Sequence, residues 1–410
     1  MTEPDFRSAL IEAVLQTKAD RYFYSQHTPL LDAGIAHVTS RLITEACKDP
    51  RIAELDGVLL NQENLLTGVN LMSLLQALIA HAARDGIDRA LAAMDRFLAA
   101  PSNRSIEVLL LEGVAVNDTL EVVPGIFICP LAHVPSSTLQ SYLKYTGAAQ
   151  PPTPFSLQHL FDEQKITPGA ALYTVQEATP KFLREPPEFK ASTEAAPIYQ
   201  IVDVLTIFGP CSPVISKSYL ELADGEFLKG HVGFNWMRPR NETRVSENRL
   251  LTEVELADLR EVAQKYLRLP PEVKQHLRVP IHRLNEAVKH QTSVDRALDL
   301  GIALESLLLA HQQSKDQLSL QFRLRGAWLL GRDAQHRTEL FETFNKLYMY
   351  RSYAAHSGSI ASKKTPEEEV MKTLSAGIHL CAQAIRKIIE DMRFPQWNRL
   401  LMGDDEENRE

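Results

Sequence analysis

The hydrophobic period of this chain changes twice, and the two changes restrict its fold more than any other feature. Before Ser105, aliphatic residues recur at three- and four-residue steps, in Ile35 to Cys47 and in Leu65 to Leu98, the latter broken near Asp85-Gly86. That is the spacing of a helix burying one stripe. From Ser105 the apolar residues come in short runs, IEVLLLEGV and LEVVPGIFICPL, parted by Asn117-Asp118 and Pro124-Gly125. Turn-forming pairs between short apolar runs predict strands. ALYTVQEA, IYQIVDVLTIF and SYLELADGEFLKGHVGFNWMR continue the pattern, with Pro151-Pro152, Pro154 and Pro186-Pro187 between them. After the polar stretch NETRVSEN, Asn241 to Asn248, helical spacing resumes. The expected fold class is α+β. It has a helical N-terminal region over residues 1–104 and a mainly β domain over 105–245, either a sandwich or a partial barrel. A helical C-terminal domain over 246–403 and an acidic tail over 404–410 complete it.

Within the last third, predicted helices cover Glu253 to Tyr266, closed by Pro270-Pro271, and Val279 to Ala287. The next runs from Val294 to about His311 with Ser293 as N-cap. Leu318 to Leu330 follows, stopped by Gly331, and then Thr338 to His356. The last helix, to about Met392, opens on Thr365-Pro366-Glu367-Glu368, with threonine as N-cap and proline at the first position.

Lys346 to Gly358, KLYMYRSYAAHSG, holds the residues best suited to chemistry. Arg351 is a permanent cation with a fork of donors matched to phosphate, and His356 exchanges a proton near neutral pH. Together they suffice to cleave RNA without a metal. The histidine handles the proton of the 2′-hydroxyl or of the leaving 5′-oxygen, and the arginine stabilises charge on the phosphorane-like transition state. Five positions place the two about 140° apart on a regular helix. They converge only if the helix ends or kinks between them, or if two copies meet across a dimer axis. Gly358, a C-cap candidate, permits the first. A second pair, Arg283 and His290, lies in a mixed polar segment without a glycine stop and carries the weaker signal. Glu305 falls in a strongly apolar run. Either it is buried and needs a partner, for which Arg351 is a candidate, or it lies at the edge of the stripe in water.

The chain carries 44 Lys+Arg against 52 Asp+Glu, a net charge of −8, which excludes a chain-wide nucleic-acid coat. Residues 271–403 hold 19 basic and 14 acidic side chains, a local +5 compatible with RNA. Lys363 and Lys364, in the loop after the motif, are candidate contacts to an RNA backbone. No apolar run reaches 18 residues, and MTEPDFRSAL lacks the basic start and apolar core of a signal peptide. The expectation is a cytoplasmic protein with no membrane contact. Cys47, Cys129, Cys211 and Cys381 are far apart and are read as reduced thiols. Neither a phosphate loop, Cys-x-x-Cys nor His-Glu-x-x-His is present, so no cofactor and no metal are expected.

Asp295, Asp299, Leu300, Ile302, Ala303, Leu304 and Glu305, followed by Arg351, Ser352 and His356, form a two-part pattern. It resembles the ApeA-like branch of the HEPN superfamily, over roughly residues 275–395. The resemblance implies an all-helical bundle that dimerises, with the arginine and histidine of both protomers lining one cleft. It further implies a metal-independent endoribonuclease acting in bacterial anti-phage defence, or a growth-arresting toxin that cuts tRNA or another cellular RNA. Supporting roles fall to Ser352 and Glu305. Active members commonly carry Asn, Asp or His where this chain has Ser352. Two other functions stay open: a non-catalytic dimeric HEPN scaffold, and a sensor of a small molecule or phage signal through the β domain.

Overall fold

A computed structural model describes residues 4–19, 36–55, 57–135, 168–187, 195–231, 235–237, 247–310, 317–360 and 365–403. Lys363, Lys364 and the acidic tail lie outside the described residues.

The N-terminal region has helices α1 (Pro4–Ala19), α2 (Ser40–Ala46) and α3 (Pro50–Ala53), then a hairpin of β1 (Val58–Asn61) and β2 (Leu66–Val69). Helices α4 (Leu71–Asp85) and α5 (Ile87–Ala99) follow. The helix expected from Leu65 therefore starts six residues late, because Leu66 and Val69 belong to a strand. Asn70 sets the true start: its side chain accepts from Ser73 N at 2.7 Å, and Ser73 Oγ answers the Asn70 N–H at 3.4 Å. The break at Gly86 stands where expected, with φ of 93° between α4 and α5.

The middle of the chain builds an antiparallel six-stranded sheet in the order β10-β9-β3-β7-β6-β5. These strands are β3 (Asn103–Glu112), β5 (Leu120–Val123), β6 (Ile126–Cys129), β7 (Ala170–Ala178), β9 (Val214–Leu222) and β10 (Asn235–Met237). The short strand β4 (Val114–Ala115) pairs in parallel with β11 (Arg249–Leu250), and β8 (Phe182–Leu183) joins the N-terminal hairpin through β1. Central β3 is covered on both faces: Leu109 and Leu111 face one core, Ile106, Val108 and Leu110 another.

One expected strand is a helix. IYQIVDVL forms α6 (Pro197–Leu205), with Pro197 in its first turn. Ile198, Ile201, Val202 and Leu205 are buried at steps of three and four. A proline start and burial on most sides, with Gln200 and Val204 buried as well, outweigh the strand preference of β-branched residues.

The C-terminal helices are α7 (Glu253–Arg268), α8 (Pro271–Lys289), α9 (Ser293–Leu308), α10 (Leu318–Leu330), α11 (Ala334–Ser357), α12 (Glu367–Glu390) and α13 (Trp397–Leu401). Pro270-Pro271 both ends α7 and begins α8, which carries Pro280 within it. The N-cap of α9 is Thr292, not Ser293: Thr292 Oγ1 accepts from Asp295 N at 3.2 Å, while Ser293 is buried. At the start of α12 Pro366, not Thr365, holds the cap position.

One apolar core runs from Leu109, Leu111 and Leu172 of the sheet through α6 and α7 to Leu300, Leu304, Phe344, Leu347 and Ile385. Gly377 of α12 marks the closest approach of three helices. A Cβ there would stand 2.6 Å from a Leu347 methyl and 2.9 Å from a Leu300 methyl. Among the described residues the four cysteines are unbridged, and no helix is long and apolar enough to cross a membrane.

Candidate active site

Helix α11 carries both motif residues. Asp333 caps it by accepting from His336 N at 2.8 Å. The helix then continues without interruption to Ser357, and Gly358 closes it in the left-handed region at φ 63°. It neither ends nor kinks between Arg351 and His356, so the first of the two routes to convergence is not taken.

The core stripe of α11 is Leu340, Phe344, Leu347, Tyr350 and Ala354. Arg351 borders that stripe. His356 belongs to the opposite, exposed face with Glu342, Lys346, Met349 and Tyr353. Met349 and Tyr353 are large apolar side chains left 38% and 48% exposed. Within one chain, then, Arg351 turns toward the neighbouring helix and His356 toward solvent. Half-buried Ser352 lies on the arc between them.

Arg351 is held by α9. Its stem lies over Gly301, where any Cβ would overlap the arginine's own Cβ and Cγ. Its Nη2 then reaches Glu305 Oε2 at 3.1 Å. Gly301 and Glu305 are four residues apart on one helix face, so the glycine clears room for the stem and the glutamate takes the head. Of the two positions open to Glu305, the paired one is taken. Gly301 was the signal that sequence reasoning passed over: a glycine one turn before the carboxylate, inside a helix that gains nothing from it.

Burial pushes the Glu305 carboxyl above the usual range, and the facing guanidinium offsets only part of that. The folded state therefore holds this proton more tightly than the unfolded chain. Stability from this group is fully present below its unfolded pKa of about 4.3 and declines as pH rises from there through the folded value. Glu305→Gln removes the decline. Relative to wild type, its melting temperature should be higher at pH 7 than at pH 4. Thermal melts at the two pH values check this, and an equal difference at both would contradict it.

The weaker pair is the one that meets in a single chain. Arg283 Nη1 lies 2.7 Å from Asp299 Oδ1, and His290 Nε2 lies 2.7 Å from Asp299 Oδ2. Asp299 is the second aspartate of the two-part pattern, and it faces α8, not α11.

Among the described residues no three His, Cys, Asp or Glu side chains are grouped to hold a metal. Comparison with protein-family models, with curated proteins and with solved structures finds no match to the chain.

Proposed function

We propose that the chain is a metal-independent endoribonuclease whose cleavage centre is completed by a second copy through the C-terminal domain. The observation that carries this reading is the division of labour on α11. Arg351 is fixed in place by Gly301 and Glu305, while His356 is exposed beside the uncovered apolar residues Met349 and Tyr353. A single chain cannot aim both at one phosphate. A two-fold dimer through the C-terminal domain doubles the set, so that an arginine and a histidine of different protomers can serve one ligand.

In that cleft one His356 accepts the 2′-hydroxyl proton as its oxygen attacks phosphorus. Arg351 stabilises the charge on the phosphoryl oxygens, and the second His356 protonates the leaving 5′-oxygen. The products are a 2′,3′-cyclic phosphate and a 5′-hydroxyl. The resemblance to ApeA-like HEPN domains supports a role for this chemistry in bacterial anti-phage defence or in a toxin acting on tRNA or another cellular RNA, in the cytoplasm.

The test is a pair of measurements on the full chain. Light scattering at micromolar concentration should give twice the 46.1 kDa chain mass. RNA cleavage should persist in EDTA and leave cyclic phosphate ends. A monomer, a Mg²⁺ requirement or 5′-phosphate products would refute the mechanism.

A second reading, the non-catalytic dimeric scaffold, draws on the same ion pair. A guanidinium seated on a carboxylate already has a structural job, and Ser352 replaces the side chain common in active members.

A further inference from the structure

The corner between α8 and α9 presents a second arrangement of cationic side chains. Helix α8 ends at Lys289, the chain turns through His290, Gln291 and Thr292, and α9 returns beside it. Asp299 takes Arg283 on one carboxylate oxygen and His290 on the other, each at 2.7 Å. The carboxylate side chain is 12% exposed, His290 24% and Arg283 41%. The anion is thus at the bottom and the donors face outward.

An ionised carboxylate only accepts, so His290 Nε2 carries the hydrogen shared with Asp299, and Nδ1 remains for another group. Arg283 commits one of its five N–H groups to Asp299. Arg296, one turn before Asp299, donates Nη2 to the His290 carbonyl at 2.7 Å and adds a cation beneath the turn. Both oxygens of Asp299 are engaged, so an approaching anion meets the remaining N–H groups of Arg283, not a bare carboxylate.

We propose that Arg283 and His290, held in place by Asp299, form a phosphate anchor for the backbone of single-stranded RNA, outside the cleavage centre. Its ligand identity rests on the ribonuclease reading. Asp299 and Glu305 are six residues apart on α9, about 120° around the axis and about 9 Å along it, so the anchor and Arg351 are separate sites. The guanidinium offers its remaining edge to the phosphate oxygens. His290 occupies the second Asp299 oxygen and so keeps the carboxylate from facing the phosphate. A contact of this kind positions RNA without reading its sequence.

The experiment is a salt titration of RNA binding by the full chain. The probe is a short fluorescent single-stranded RNA with 2′-O-methyl riboses, which binds but cannot be cleaved. Arg283→Ala should weaken binding several-fold and reduce the slope of log affinity against log salt by about 0.7, the value for one phosphate contact on a single strand. His290→Ala should weaken binding in the same direction. Arg283→Lys should restore the slope but not the full affinity, because it keeps a charge and loses the fork. This variant carries the test if alanine lowers the melting temperature. Wild-type affinity and slope in Arg283→Ala, or wild-type affinity in Arg283→Lys, would overturn the anchor while leaving the cleavage reading untouched. The reduced slope in a protein that leaves unmodified RNA intact would keep the anchor and overturn the cleavage reading.

Discussion

His356→Ala should lower the rate of RNA cleavage by about 10²–10⁴-fold, the usual contribution of a general acid or base. Arg351→Ala should lose a comparable amount. Arg351→Lys should recover only part, since an ammonium lacks the planar fork that spans two phosphoryl oxygens. Structure separates the two variants in stability. His356 is exposed one residue before the helix end, so its loss should leave the melting temperature and the dimer unchanged. Arg351 rests on Gly301 and pairs with Glu305, so its alanine variant leaves a half-buried carboxylate without its cation. A stability loss on the order of 1 kcal/mol accompanies it. The scaffold reading expects both alanine variants to keep the biological effect, or to lose it only by unfolding. Phage-protection or growth-arrest assays, with melts in parallel, discriminate. Full cleavage by the His356→Ala protein would end the ribonuclease reading.

Phe344→Ala should cost about 3–5 kcal/mol, the largest stability effect expected of a single side chain in the motif helix. Phe344 is fully buried. Its ring meets Phe322 edge to face at 5.7 Å between centroids. It also fills the space left by Gly326, where a Cβ would stand 2.5 Å from the ring. Removing it leaves a cavity between α10 and α11 that neither helix can close, because Gly377, Leu300 and Leu347 lock α11 from the other side. Phe341, one turn earlier, is only partly buried and lies against Arg323, 4.9 Å from its ring centroid. Its alanine variant should lose well under half as much. Urea titration followed by far-ultraviolet dichroism measures both. Equal losses for the two would mean that α11 is not anchored through Phe344.

Several elements were legible because their causes are local. Helix α10 has the predicted bounds, Leu318–Leu330 before Gly331, and Gly358 closes α11 as a left-handed cap. The stop at Gly358 depends on glycine backbone freedom, which needs no distant partner. Gly331 is instead extended at φ −82° and leaves room that a Cβ would take from Ala327 O and the Arg337 stem. The α+β order was legible too, since hydrophobic period depends on which face each segment buries. The 140° between Arg351 and His356 follows from spacing alone.

Other features were decided only in three dimensions. IYQIVDVL satisfies a buried strand and a buried helix equally well by composition. It became α6 because Ile198, Ile201, Val202 and Leu205 found one core to face. Leu66 and Val69 pair with Asn61 and Val58 in a hairpin whose other edge is taken by β8, more than a hundred residues later. The Arg351–Glu305 pair was a possibility in sequence, but Gly301 had to meet the arginine stem for it to close. Arg283 and His290 looked like the poorer pair, yet the return of α9 along α8 gave them a common carboxylate in Asp299. Periods and caps are written in neighbouring residues. Which side chains share a partner depends on segments brought together by burial, and the chain order does not encode that at short range.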